Sequence, residues 1–297
     1  MLGMITLSIS VKEIYTEEFG HCVLLSDSNI QVMVTIDYGP RIVSVLNESG
    51  INPIYFERDP EYHRCHGHKM RLIPDSTSGA FYCDNSPVMY SPLDDGVKFT
   101  QTISAPVPLE VSMDIVPENE GSSLMVVHSV LNKSKEAVKL SIQTETPLKK
   151  DGFIFIPQSN ITEKDKPSRI LTLWNDSKWT DNRLYIGNQY VTVHGSDDKA
   201  KLKIGSNNTA GWCGYINGIN SFIKRYIHNR NALYPYCHCS TYAAAKENYI
   251  SMQTSSPFYR IEAGEIARLV ENWIFPKSDY ICTPTDEASI DNFINSV

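Results

Sequence analysis

The chain has 297 residues, 41% hydrophobic and 21% charged, which is enough apolar material for a sizeable core. Its formal charge is -7 and no run of Lys or Arg is longer than a pair, so nothing in it neutralises a phosphate backbone or an anionic leaflet. Neither nucleic acid nor membrane is an expected partner, and no stretch reaches the roughly 18 apolar residues that span a bilayer.

The opening MLGMITLSISVKEIYTEEFGH has no basic segment followed by a long apolar one. The cysteines, Cys22, Cys65, Cys83, Cys213, Cys237, Cys239 and Cys282, are odd in number and scattered, as suits thiols in a reducing compartment. The cytoplasm is the expected location.

In chain order, period-2 alternation dominates. In NIQVMVTID, Ile30, Val32, Val34 and Ile36 fall on one face and Gln31, Met33 and Thr35 on the other, the pattern of a half-buried strand. LEVSMDIV repeats it with Leu109, Val111, Met113 and Ile115. SLMVVHSVLN, VKLSIQTETP, YVTVHG, KLKIG, SFIKRYIH and NYISMQTSS follow, separated by turn-forming clusters such as PENEG, NKSKE and KKDG. Residues 159–182 form the longest polar, irregular region, a length of loop that often serves a site. The helical signal is confined to TPTDEASIDNFINSV, with Thr283 as N-cap, Pro284 at the first helical position, Asp286 in the first turn, and Ile290, Phe293, Ile294 and Val297 as an apolar stripe. The expected architecture is all-β, an antiparallel meander with a short C-terminal helix, in a single domain over 1–297.

HRCHGHKMRLIPD concentrates His63, Cys65, His66 and His68 in a chain with eight histidines. In an extended strand His66 and His68, two apart, point the same way. A zinc site needs three or four ligands, so the YCHC stretch would have to add Cys237, His238 or Cys239. Neither cluster has the spacing of a known zinc module, and no metal is assigned. No G-x-S-x-G elbow, Gly-rich phosphate loop or recognised cysteine nucleophile is found, and GYINGIN reads as a turn between strands. No cofactor is expected.

Taken in order, VMVTIDYGPRIVSVLNESGINPIYF, GHKMRLIPD, FYCDNSPV, HSVLNKS, FIFIPQ, WTDNRLYIG, FIKRY and SSPFYRIEAGEIARLVENWIF resemble the galactose mutarotase-like (aldose 1-epimerase) superfamily, specifically a bacterial branch of unassigned function. The resemblance runs from about residue 20 to 275 and leaves 276–297 as an extension. It implies a β-supersandwich of two large antiparallel sheets with a sugar-sized groove, and a small-molecule carbohydrate as partner. Enzymes of the superfamily open and reclose the hemiacetal ring of a free sugar, a carboxylate taking the C1 hydroxyl proton while a histidine protonates the ring oxygen.

The chain departs from that pair. The position of the carboxylate falls on Gln253, which accepts no proton, and that of the histidine on Thr146 or, by a one-residue slip, Glu145. His68 and Lys69 match the branch's H-R, with donors that suit hydroxyls, a carboxylate or a phosphate; the alternative is a capped loop histidine beside a solvated lysine. Asp181 and Arg183 would pair, either aiming Arg183 into the groove or simply holding the long loop. Lys224 shares its face with Phe222 and Tyr226, which suits a pocket wall. Among Trp174, Trp179 and Tyr82, one is expected to stack on a pyranose. Asp84 and Asn85 read first as turn formers, and His128 as structural.

Two functions follow from the resemblance. One is an anomer-interconverting isomerase with His68 as acid and Asp84, Glu145 or Asp181 as base; the other is a non-catalytic carbohydrate binder using the same groove.

Overall fold

In the computed structural model, residues 9–59, 64–75, 81–82, 86–103, 106–118, 122–159, 168–276 and 280–297 are described. His63, Asp84 and Asn85 lie outside them, as does the side chain of Tyr82.

The alternating segments become two large antiparallel sheets. The ten-stranded sheet runs Leu184–Ile186, Tyr190–His194, Phe153–Pro157, Trp212–Asn217, Asn220–Tyr226, Ile266–Ile274, Ser123–Asn132, Leu109–Pro117, Val97–Ile103, Met89–Pro92. The eight-stranded sheet runs Leu171–Leu173, Leu202–Ser206, Thr241–Ala245, Tyr249–Ser255, Val138–Lys149, Lys69–Pro74, Phe81–Tyr82, with Tyr259–Ile261 also paired to Val138–Lys149. An N-terminal four-stranded sheet, from Ser10–Thr16 to Arg41–Leu46, joins them. The supersandwich expected from the resemblance is therefore present, with this additional sheet.

The faces of the strands follow from the period of two. From the ten-stranded sheet, Leu124, Val126 and Val130, with Leu269 and Trp273, point inward; from the eight-stranded sheet, Leu72, Leu140, Ile142, Ile250 and Met252 meet them, all at most 4% exposed. Burying each such side chain is worth about 1.5–3 kcal/mol. Along Val138–Lys149 the outward residues Ser141, Gln143 and Glu145 are buried as well, at 8% exposure or less.

Two boundaries differ from the sequence expectation. The terminal helix is Glu287–Ile294, three residues later than the Thr283 cap implied, because Asp286 supplies the cap: its Oδ1 accepts from Ser289 N–H at 3.2 Å. Ile290 and Phe293 of this helix cover Phe153, Phe155 and Ile216 on the outside of the ten-stranded sheet, while Val297 remains exposed. The irregular region 159–182 contains a strand, Leu171–Leu173, which pairs with Leu202–Ser206 at the edge of the eight-stranded sheet. No helix among the described residues is long and apolar enough to cross a membrane.

Candidate functional site

Gly67 decides what the histidine-rich segment does. Its φ of +102° breaks the extended alternation, and a Cβ there would lie 3.0 Å from the Ile42 carbonyl oxygen. His66 and His68 consequently diverge, against the expectation that they point the same way. The His66 ring packs edge-on against Tyr249 at 4.7 Å on the outside of the eight-stranded sheet. His68 turns between the sheets, wholly buried, with its ring 4.5 Å from that of Trp273.

There it joins an ionic layer inside the sandwich. Lys224 and Glu271, both unexposed, lie 3.2 Å apart. Glu271 Oε1 accepts from the hydroxyls of Thr144, at 2.7 Å, and Thr254, and Oε2 accepts from Trp273 Nε1–H at 2.9 Å. Lys224 also donates to Thr146 Oγ1 at 2.8 Å, and the same hydroxyl lies 2.8 Å from His68 Nδ1. His68 Nε2 and His128 Nε2 lie 3.2 Å apart, one donating to the other, and His128 Nδ1 is buried with no partner among the described residues. Burial, followed by the Lys224 charge, holds the His68 imidazole well below its ordinary value, so it is neutral. Burial works to raise the Glu271 carboxyl, but the Lys224 ammonium outweighs it and holds the group well below the usual carboxylate range.

The donor atoms of His68, His128 and Glu271 lie within 4.8 Å of one another. A divalent ion could use that set only after displacing the Lys224 ammonium, which already supplies the positive charge Glu271 needs. The layer ties strands of both sheets together and is closed to solvent.

A second polar cluster lies on the other face of the eight-stranded sheet. Strand register lines up Lys69, Glu145, Gln253 and Tyr242 across four adjacent strands, with Arg71, Gln143 and Ser255 in the next row. Arg71 donates to Gln253 Oε1 at 2.6 Å and its guanidinium lies 3.9 Å from Glu145, while Gln253 Nε2 is 3.4 Å from Glu145 Oε1. Arg71 Nε and Gln143 Oε1 are buried and have no partner among the described residues. Burial alone would raise the Glu145 carboxyl, but Arg71, Lys246, Lys69 and Lys203 together bring it down to about 2. Desolvation lowers Lys69 and Lys203 to about 8 each and lowers Lys246 too.

Aromatic rings wall this floor. On one side Tyr55 stacks on Tyr249 at 5.1 Å, and Lys246 donates to the Tyr249 hydroxyl. On the other, Lys203 Nζ sits 4.4 Å from the centre of the Trp174 ring, with Tyr242 and Tyr236 at 5.4 and 5.9 Å. Tyr236 is held there by a left-handed turn in which Tyr236, Cys237 and His238 have φ of 50°, 62° and 64°. Such conformations cost on the order of 1–2 kcal/mol per residue, so the packing of the rim over-determines them.

The sequence-derived candidates are thus split between environments. Lys69 and Gln253 stand in the outer row, and Trp174 forms its wall. His68 and Lys224 lie inside the sandwich. Arg183 is buried at the sheet edge, held bidentately by Asp181 at 2.7 and 2.9 Å and donating to the Ala200 carbonyl at 2.8 Å, a clamp on the loop. Trp179 is 52% exposed. Cys237 and His238 are exposed, and Cys239 is buried against Thr172.

Arg71, Lys203, Lys246, Tyr249, His128 and Glu271 are not singled out by sequence motifs, although period 2 marks some of them: His128 is in phase with Leu124, Val126 and Val130, and Glu271 with Leu269 and Trp273. Elsewhere, a concavity of about 380 Å³ on the ten-stranded sheet lies beside Lys150 and Asp197, which pair with each other.

No family model matches the chain, and no curated protein matches it in sequence. Solved structures do. A putative aldose 1-epimerase from Klebsiella pneumoniae superposes with a TM-score of 0.61 at 8% identity, over 97% of this chain and 86% of that one. A galactose mutarotase-like protein from Clostridium acetobutylicum gives 0.56 at 9% identity over 92% and 99% of the two chains. A galactose mutarotase related enzyme from Lactobacillus acidophilus gives 0.55 at 12% identity over 93% and 99%. The chain therefore has the galactose mutarotase-like fold, and identities this low establish the fold alone.

Proposed function

We propose that the chain binds a free sugar or sugar derivative in the groove on the outer face of the eight-stranded sheet and interconverts its anomers by acid–base ring opening. The observation that carries this proposal is the adjacency of Glu145 and Lys69, cross-strand partners whose preferences for a proton are far apart. Glu145 takes the C1 hydroxyl proton as the C1–O5 bond breaks and a carbonyl forms at C1, and the Lys69 ammonium protonates the departing ring oxygen. After rotation about C1–C2, the Lys69 amine recovers its proton from the C5 hydroxyl as O5 attacks the other carbonyl face, and Glu145 returns its proton to O1. Tyr249 and Trp174 would face the apolar sides of the pyranose. The cytoplasm is the proposed setting, since the described cysteines Cys22, Cys213, Cys237, Cys239 and Cys282 are free thiols.

A non-catalytic binder on the same groove is favoured instead by the low basicity of Glu145, because a carboxylate held at about 2 is a weak proton acceptor. NMR exchange between anomers of a panel of aldoses, uronates and sugar phosphates separates the two, run alongside thermal shifts on the same panel. Exchange faster than buffer, lost in Glu145→Gln, supports the isomerase. Thermal stabilisation without exchange supports the binder, and neither signal with any sugar rejects both.

A further inference from the structure

The floor of the groove holds Lys69, Arg71, Lys203 and Lys246 against one carboxylate, Glu145, in a chain whose overall charge is -7. The other acids nearby are engaged at the rim: Glu57 accepts from the Tyr55 hydroxyl at 2.5 Å, and Glu247 pairs with Lys199 at 3.2 Å. Three positive charges in excess, partly buried and crowded together, disfavour the folded state unless an anion offsets them. The lysines are also positioned. Lys203 lies on the Trp174 ring inside an aromatic enclosure, Lys246 is anchored to the Tyr249 hydroxyl, and register places Lys203 opposite Ala244, two residues before Lys246. Arg71, on the same face of the sheet, adds a buried Nε donor without a partner among the described residues.

We propose, resting on the sugar-binding role above, that the ligand of this groove is an anionic sugar, its carboxylate or phosphate held between Lys203 and Lys246 while C1 lies over Glu145 and Lys69. Lysine suits the task because its compact, three-donor charge accepts either anion without the planar fit that arginine imposes. The same anion completes the catalytic pair. By offsetting the lysines that depress Glu145, it lifts the carboxylate toward useful basicity, so the groove is a better base with its substrate bound than empty.

The test uses the intact protein and matched pairs: galactose against galacturonate, glucose against glucose 6-phosphate, and inorganic phosphate alone, with binding measured by calorimetry at low and high salt. At least one acid should bind about tenfold or more tightly than its neutral parent, the advantage shrinking at high salt. Lys203→Gln and Lys246→Gln, both at partly exposed positions, should each lower the affinity for the acid about tenfold more than they lower that for its neutral parent. Galacturonate alone binding tightly identifies the carboxylate as the group held, and glucose 6-phosphate alone identifies the phosphate. The inference is overturned if the neutral parents bind as well as the acids, or if inorganic phosphate binds as tightly as the sugar phosphate. Neutral sugars binding or exchanging while the acids do neither would also overturn it but leave the proposed function intact; silence from every sugar would reject the function itself. The salt dependence of the unaltered protein gives an answer even if a variant fails to fold.

Discussion

Lys224 Nζ stands 3.2 Å from Glu271 Oε2 with neither side chain exposed, so an ion pair between neighbouring strands of the ten-stranded sheet lies in the interior of the sandwich. Two threonine hydroxyls and the Trp273 N–H complete the shell of Glu271, the condition under which such a pair is tolerable. Removing one partner leaves the other charged in a dry site. Lys224→Met should therefore cost about 3–5 kcal/mol in urea unfolding at pH 7, whereas Lys224→Met with Glu271→Leu should recover much of that loss. A single variant as stable as the parent would show that the pair contributes nothing.

Acid should unfold the protein through Glu145 and Glu271. Both are held below the ordinary carboxylate value of 4.5, Glu145 at about 2. Their contribution is thus fully present above pH 4.5. It declines as pH falls toward 2, where the unfolded chain binds protons that the folded chain refuses, at about 1.4 kcal/mol per pH unit for each group. Glu145→Gln should flatten the slope of stability between pH 4.5 and 2 by about one proton, read from urea midpoints across that range. An unchanged slope would mean that Glu145 titrates normally in the folded protein.

The strands are legible in the sequence because each carries a long apolar phase: Leu140, Ile142 and Leu148 alternate cleanly enough to mark Val138–Lys149 as a strand from residue order alone. The groove is only half legible for the same reason. Lys69 and Gln253 fall within recognisable motifs, but Lys203 near the start of one strand and Lys246 just past the end of another look like solvated charges, and only the pairing of Leu202–Ser206 with Thr241–Ala245 brings them together. His68 misleads because a single positive φ at Gly67 reverses its face, and neighbouring residue types do not encode that reversal. His128 and Glu271 occupy core phases that a pattern of hydrophobic residues alone leaves unexplained, and their meaning emerges only when both sheets are stacked.

Arg183 offers a control outside the groove. It is unexposed, and its guanidinium is satisfied by both oxygens of Asp181 and by the Ala200 carbonyl. Arg183→Met should destabilise the protein by about 3 kcal/mol, through the unpaired Asp181 and the released loop, without altering the ratio of sugar affinities among the ligands of the panel. A selective loss of one sugar would bring the clamp into the ligand's surroundings.

The strongest test of the acid–base pair is to supply the carboxylate that Gln253 withholds. Gln253 Oε1 already receives the Arg71 N–H at 2.6 Å, and its Nε2 lies 3.4 Å from Glu145 Oε1. In Gln253→Glu two carboxylates would share one arginine at that spacing, and like charges so close cannot both remain ionised at low cost, so one of the two is pushed upward toward neutrality. A base better matched to the working pH typically contributes about 10²–10⁴-fold. Anomer exchange by Gln253→Glu should therefore exceed the parent's by at least about tenfold at pH 7, with an acid limb displaced to higher pH. Binding of the sugar with no gain in exchange would show that the groove holds its ligand out of line with this pair, and would favour the non-catalytic binder.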